Sequence, residues 1–163
     1  ARGLMEPRPS RMFETLRACG ALTRLLPEIG DTLPDMTGPL PARFAALVRH
    51  LSEADIRAIC ARLRVPATCR EVALTVCRWQ GDLTRFATLS PPARLAVLEG
   101  CDALRRPDRF DAIRIACGAP ETPLKDALAA ARSVDAGAIA KECADPGQIA
   151  ARIHEARVSA IKP

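Results

Sequence analysis

Apolar residues recur along this chain at three-to-four spacing, broken at short intervals by Gly, Pro and capping residues, and that pattern predicts a succession of amphipathic helices. Ser10 is placed to cap a helix carrying Met12, Phe13 and Leu16 on one face, and Gly20 to close it. A short turn with Leu22, Leu25 and Leu26 stops at Pro27. From Pro27 to Pro41 there are four prolines and two glycines, which predicts a loop and marks the best internal boundary. Helix resumes over Ala42 to His50 with Phe44, Leu47 and Val48. Ser52 with Asp55 caps the next one, which bears Ile56, Ile59, Cys60 and Leu63 and is broken by Pro66. Thr68 with Glu71 repeats the capping box ahead of Val72, Val76 and Trp79, and Gly81 marks the stop. Ser90-Pro91-Pro92 starts a helix striped by Leu95, Leu98 and Cys101, and Pro107 starts one striped by Phe110, Ile113 and Cys117. Thr122-Pro123 opens an Ala-rich helix to Ser133, Asp135 caps a short one, and Asp145-Pro146-Gly147-Gln148 caps the last, with Ile149, Ile153 and Ile161 inward. The expected fold is all-α, about nine or ten short helices with no sheet and no internal repeat.

Composition agrees with this reading. Hydrophobic residues make up 48% of the 163 and charged residues 26%, enough apolar material for a core. Tyr is absent and there are only one Trp and four Phe, which disfavours strands. The longest apolar runs, Phe44–Val48 and Ala127–Ala131, are five residues each, so neither a membrane span nor a signal peptide is expected. Seven Cys without a CxxC pair read as reduced thiols and predict a cytoplasmic protein.

Charge adds a candidate partner. The net charge is +5, and 21 of the 24 basic residues are Arg, whose planar fork suits phosphate and base stacking. Residues 1–81 carry 12 bases against 8 acids, and residues 82–163 carry 12 against 11, so the positive field leans toward the first half. A GC-rich genome would also enrich Arg and Ala, so charge alone does not separate the two explanations.

Enzyme chemistry has no visible home. The cysteines fall on apolar stripes, where a free Cys behaves as a small hydrophobe. His50 and His154 have no second His or Cys at helical spacing, which leaves a closed zinc site or a nucleophilic triad unsupported. No Gly-rich phosphate loop occurs. Asp108 and Asp111, set among Arg105, Arg106, Arg109 and Arg114, read as a surface ion-pair ladder. Two basic clusters remain. Arg57, Arg62, Arg64, Arg70 and Arg78 span a stretch whose only acid is Glu71, and Arg105, Arg106 and Arg109 gather at a helix start. Either could hold an RNA backbone, and either could be an ordinary solvated face.

The runs EPRPSRMFETLRACGALTRLLPEI (Glu6 to Ile29), RFAALVRHL (Arg43 to Leu51), RLRVPATCREVAL (Arg62 to Leu74), LRRPDRF (Leu104 to Phe110) and IHEARVSAI (Ile153 to Ile161), in this order, resemble the carboxy-terminal half of bacterial CCA-adding enzymes, the tRNA nucleotidyltransferases. The resemblance implies a neck (1–41), a helical body (42–120) and a tail (121–163) that grip the acceptor and TΨC half of tRNA, with Arg8, Arg11, Arg62, Arg64, Arg70, Arg105, Arg106 and Arg109 as RNA-binding candidates. It also implies a nucleotide-binding head that uses magnesium, CTP and ATP. The chain begins without Met inside what would be the neck, so a fragment or ordered remainder of a longer protein is expected, inactive on its own, with no cofactor and no metal site of its own. In many relatives a segment like RFAAL runs into the His-Asp dyad of a metal-dependent phosphohydrolase. Arg49-His50 stand at that place here, and Trp79-Gln80 stand where an aromatic-His pair would fall, which implies a phosphohydrolase region reduced to scaffold. The competing readings are the corresponding part of a poly(A) polymerase, a non-enzymatic helical interaction scaffold, and a surviving phosphohydrolase.

Overall fold

The computed structural model describes residues 2–30 and 32–161. Ala1, Asp31, Lys162 and Pro163, which include the outer ends of the expected neck and tail, lie outside the described residues. Among the described residues the regular structure is all helical: α1 (Arg2–Met5), α2 (Pro9–Ala18), α3 (Leu22–Leu25), α4 (Leu40–Val48), α5 (Glu53–Arg62), α6 (Ala67–Thr84), α7 (Pro91–Gly100), α8 (Pro107–Cys117), α9 (Glu121–Arg132), α10 (Ala136–Glu142) and α11 (Ile149–Ala160), with 3-10 turns at Phe86–Thr88 and Pro146–Gln148. The all-α expectation holds. The chain forms two compact units, one of residues 1–80 and 111–118, the other of residues 81–110 and 119–163.

The first unit is organised on α4, whose run Phe44 to Val48 is buried on every side. Phe13 of α2, Ile56 and Ile59 of α5, Val72 and Val76 of α6, and Ile113 of α8 are buried with it. α5 starts where its capping residues require. Ser52 Oγ accepts from the Asp55 N–H at 3.2 Å and donates to Asp55 Oδ2 at 2.6 Å, satisfying a donor that the first turn leaves open. The Pro-rich segment ahead of α4 is held by Arg43, whose guanidinium donates to the carbonyls of Gly38 (2.8 Å), Leu4 (2.8 Å) and Glu6 (3.1 Å). Gly38 needs to be glycine twice over: its φ is +79°, and a Cβ there would meet Ile115 Cγ2 at 3.0 Å.

In the second unit α7, α9 and α11 pack on one another around Phe86, Leu95, Leu98 and Leu124, all fully buried. Asp135 caps α10 by accepting from the Ala138 N–H at 2.9 Å, and Asp145 accepts from Gly147 N–H ahead of α11. Ile161 is buried while Ile149 and Ile153 are only half-buried, so the last helix is less deeply seated than its spacing predicts.

Three local expectations are corrected. Pro9 takes the first helical position of α2 and Arg8 the cap, because the fixed φ of Pro suits that place, so Ser10 lies inside the helix. α6 likewise begins at Ala67, directly after Pro66, which puts Thr68 in its first turn. α6 also runs through Gly81 to Thr84. A Gly costs roughly 1 kcal/mol inside a helix relative to Ala, and the complete burial of Leu83 on the following turn offsets it.

Candidate nucleic-acid interface

The first basic cluster is built at the junction of α5 and α6. α5 ends in a Schellman motif: the Val65 N–H donates to the Cys60 carbonyl at 3.0 Å and the Arg64 N–H to the Ala61 carbonyl at 3.4 Å. Arg64 therefore sits in the left-handed conformation, φ +50°, that this closure demands and that glycine ordinarily fills. Its side chain is exposed, and Arg70 is exposed on α6, whose first turn carries no acid. Among the described residues neither Arg64 nor Arg70 has a carboxylate partner. Arg62, one residue before the turn, is different. Its Nη2 donates to both Glu28 carboxylate oxygens, at 2.9 and 2.8 Å, and to the Leu25 carbonyl at 3.2 Å, so its guanidinium ties α5 to the segment after α3.

Two other cations of this stretch are also engaged. Glu53 accepts from Arg78 at 2.8 Å and stands 3.5 Å from Arg57. The hydrogen bond from Arg78 and the positive charge of both arginines hold the Glu53 carboxyl below its ordinary range against a smaller desolvation effect. Within the same unit Arg8 and Arg11, both exposed at the start of α2, line a shallow recess with Glu6, Pro7 and Met12. Neither side chain has a carboxylate partner among the described residues.

The second cluster lies at the junction of α7 and α8. α7 closes by the same motif, with Ala103 N–H to Leu98 O and Asp102 N–H to Glu99 O, both 2.9 Å, and Asp102 at φ +55°. The Asp102 carboxylate draws in the next two arginines, Arg105 at 3.8 Å and Arg106 at 3.5 Å. Arg109 is half-buried on α8. Asp102 thus shields Arg105 and Arg106, and Asp111 pairs with Arg114 at 2.8 Å. Asp102 precedes Arg105 and Arg106 by three and four residues, a spacing already visible in the sequence.

At Arg49, where the resemblance puts the first position of a His-Asp dyad, Nη1 donates to the Ala116 and Cys117 carbonyls in the last turn of α8, at 3.3 and 3.5 Å, and the Arg49 carbonyl accepts from Gln80 Nε2 at 3.0 Å. His50 is exposed. Burial pushes the neighbouring Cys117 thiol up to about 11, with the Arg49 charge opposing. Among the described residues no three His, Cys, Asp or Glu converge in a way that could hold a metal ion. Nothing in the sequence marked Arg49 or Gln80 as partners, because the bond joins residues 31 apart.

The chain is similar to curated proteins described as multifunctional CCA proteins. It is 41% identical to that of Cupriavidus taiwanensis, 40% to that of Dechloromonas aromatica and 39% to that of Ralstonia nicotianae. Each match takes in 99% of this chain and 51 to 53% of the relative, so the chain spans about half the length of the relatives it matches. The matched half is the carboxy-terminal one. The matches run over 220 residues against 163 in the chain, so at least 57 aligned positions have no counterpart here. No family model matches the chain, and no solved structure matches it.

Proposed function

We propose that this chain, which belongs with the carboxy-terminal half of the multifunctional CCA proteins, is the helical tRNA-gripping portion of a CCA-adding nucleotidyltransferase, with neck (1–41), body (42–120) and tail (121–163). The observation that carries the reading is the match across nearly the whole chain. The basic, carboxylate-free positions Arg64, Arg70, Arg8 and Arg11 support it. A-form RNA presents phosphates and 2′-hydroxyls more readily than base edges, so exposed arginines suit a partner class that shares shape but not sequence. Arg62, Arg105 and Arg106 begin from ion pairs and contribute less until a phosphate displaces their acids. The partner is the acceptor and TΨC half of tRNA, and the compartment is the cytoplasm; no helix among the described residues is long and apolar enough to cross a membrane.

Nucleotide addition belongs to the half that the relatives carry beyond the matched stretch, where magnesium, CTP and ATP would act. Phosphoryl transfer needs a metal-binding carboxylate pair and a nucleotide cradle. The chain alone is therefore expected not to extend a tRNA lacking its CCA end. The phosphohydrolase region is read as scaffold: the Gln80 side chain donates to the Arg49 carbonyl, and the Arg49 guanidinium donates to the last turn of α8. Purified chain should show neither hydrolysis of a 2′,3′-cyclic phosphate nor tight nickel or zinc binding.

The deciding experiment is a salt titration of tRNA binding, followed by fluorescence anisotropy from low salt upward. Phosphate contacts release counterions, so log affinity should fall linearly with log salt, by about 0.7 to 0.9 per contact. Binding that ignores salt, or no binding at low salt, would move the assignment to a protein-interaction scaffold.

A further inference from the structure

Neither α10 nor α11 contains a buried residue, although α11 packs on α7, α9 and α10. Their neighbours are seated otherwise: α7 buries Leu95, Val97 and Leu98, and α9 buries Leu124, Ala127 and Ala131. The segment starts beyond a fixed point, because Arg132 at the end of α9 donates to the Ala103 and Leu104 carbonyls at 3.2 and 2.9 Å. From there to Ala160 its larger apolar side chains, Val134, Ile139, Ile149, Ile153 and Val158, are only half-buried. The first side chain of the stretch to be buried is Ile161, 2% exposed. The ion pairs that hold the segment are long. Glu99, in the last turn of α7, faces His154 Nδ1 and Arg157 Nη1, each at 3.8 Å, which is beyond hydrogen-bond length. Arg157 Nε is sealed from water and has no acceptor, so closure leaves a polar donor unsatisfied and lifting returns it to water.

We propose that residues 133–161 form a lid that lifts from α7 and α9 while the rest of the second unit stays folded, with Glu99 as its latch and Ile161 as its plug. Ala160 and Ile161 make one wall of a cavity of about 660 Å³ whose other walls carry Arg94 of α7 and Thr122 and Asp126 of α9. Lifting the lid therefore opens that cavity. Local opening draws on elements with few buried apolar contacts, which is the condition of α10 and α11. The closed state gains the burial of Ile161 and the partial cover of the half-buried stripe, and loses the hydration of Arg157 Nε, so its margin is small. An exposed ion pair contributes little and is screened by salt, so the latch at Glu99 answers to ionic strength.

The test is amide hydrogen exchange on the intact chain. The Cys143 and Ile161 amides, which donate to the Ile139 and Arg157 carbonyls, report the lid, and Ile161 reports the cavity wall directly. The Cys101 and Ala103 amides, which donate to the Val97 and Leu98 carbonyls, report the packed end of α7. Protection of the lid amides should be about tenfold or more below that of the α7 amides. Glu99→Gln, at an exposed position, should speed lid exchange about threefold and leave the α7 amides unchanged. Raising the salt from about 0.05 M to about 0.5 M should speed the lid of the wild-type chain to a similar degree and add nothing in the variant. Trypsin supplies a second readout on the wild-type chain, since cleavage after Arg152, exposed on α11, should precede cleavage after the half-buried Arg94 of α7. One common protection for lid and α7 overturns the proposal. So do lid rates that ignore Glu99→Gln or salt, and so does cleavage after Arg94 ahead of Arg152.

Discussion

The junctions α5–α6 and α7–α8 use one backbone device with opposite chemistry. Both helices close in a Schellman motif whose left-handed position is not glycine, and both lead within a few residues to a proline at a helix start. In the first the left-handed residue is Arg64, in the second Asp102. The motif points that side chain outward, so the residue chosen there sets the local field. Arg64 adds an uncompensated charge near Arg70, while Asp102 absorbs the charge of Arg105 and Arg106. The turns are braced alike, by Arg62 to the Leu25 carbonyl in one unit and by Arg132 to the Ala103 and Leu104 carbonyls in the other. Density of arginine in sequence is thus a poor guide to a phosphate-binding surface. What counts is which arginines the fold leaves without an acid.

The contrast breaks most directly under charge reversal. Arg64→Glu with Arg70→Glu should weaken tRNA binding about tenfold or more at low salt and flatten the salt slope by nearly two contacts, whereas Arg105→Glu with Arg106→Glu should cost less than about threefold. Equal losses in anisotropy titrations would erase the distinction. Next in size is the release of the second cluster. Asp102→Gly keeps the left-handed backbone and removes the carboxylate that Arg105 and Arg106 face, so tRNA affinity should rise about threefold, with thermal stability changed by less than about 0.5 kcal/mol because exposed pairs contribute little.

Arg64→Gly separates stability from binding. Relief of the left-handed side chain should raise the melting temperature by roughly 2 °C while tRNA affinity falls about threefold. A fall in both would show that Arg64 acts by packing. The smallest effect concerns Glu53. Its carboxyl is held below the ordinary 4.5 in the folded chain, so its contribution is present above that pH and is lost as pH falls through the lowered value. The Glu53 carbon resonance should titrate below 4.5, and Arg78→Ala should move the midpoint back toward it.

Much of the helix order was legible before any coordinates. The starts at Ser52, Pro91, Pro107 and Asp135 are written in capping oxygens and N1 prolines, whose preferences are local. Gly81 misled because a local penalty of about 1 kcal/mol is smaller than what burial of Leu83 returns. Ser10 and Thr68 misled because the helices start earlier, at Pro9 in one case and directly after Pro66 in the other. In the candidate interface Asp102 was readable at helical spacing from its arginines, but Glu28 was not: it lies 34 residues from Arg62.

By itself, then, the sequence determined the all-α class, the caps at Ser52 and Asp135, the two arginine clusters and the resemblance to the CCA-adding family, all of which depend on residue type and order along the chain. Only the tertiary structure decided which cations are spent on Glu28 and Glu53, that Arg49 and Gln80 are joined across the first unit, and that Leu25 and Leu63 stay open beside a groove. The physical reason is range. A cap or an apolar stripe is satisfied within a turn or two of helix, whereas a carboxylate neutralises whichever guanidinium the folded backbone carries to within 4 Å, however far apart the two stand in the chain.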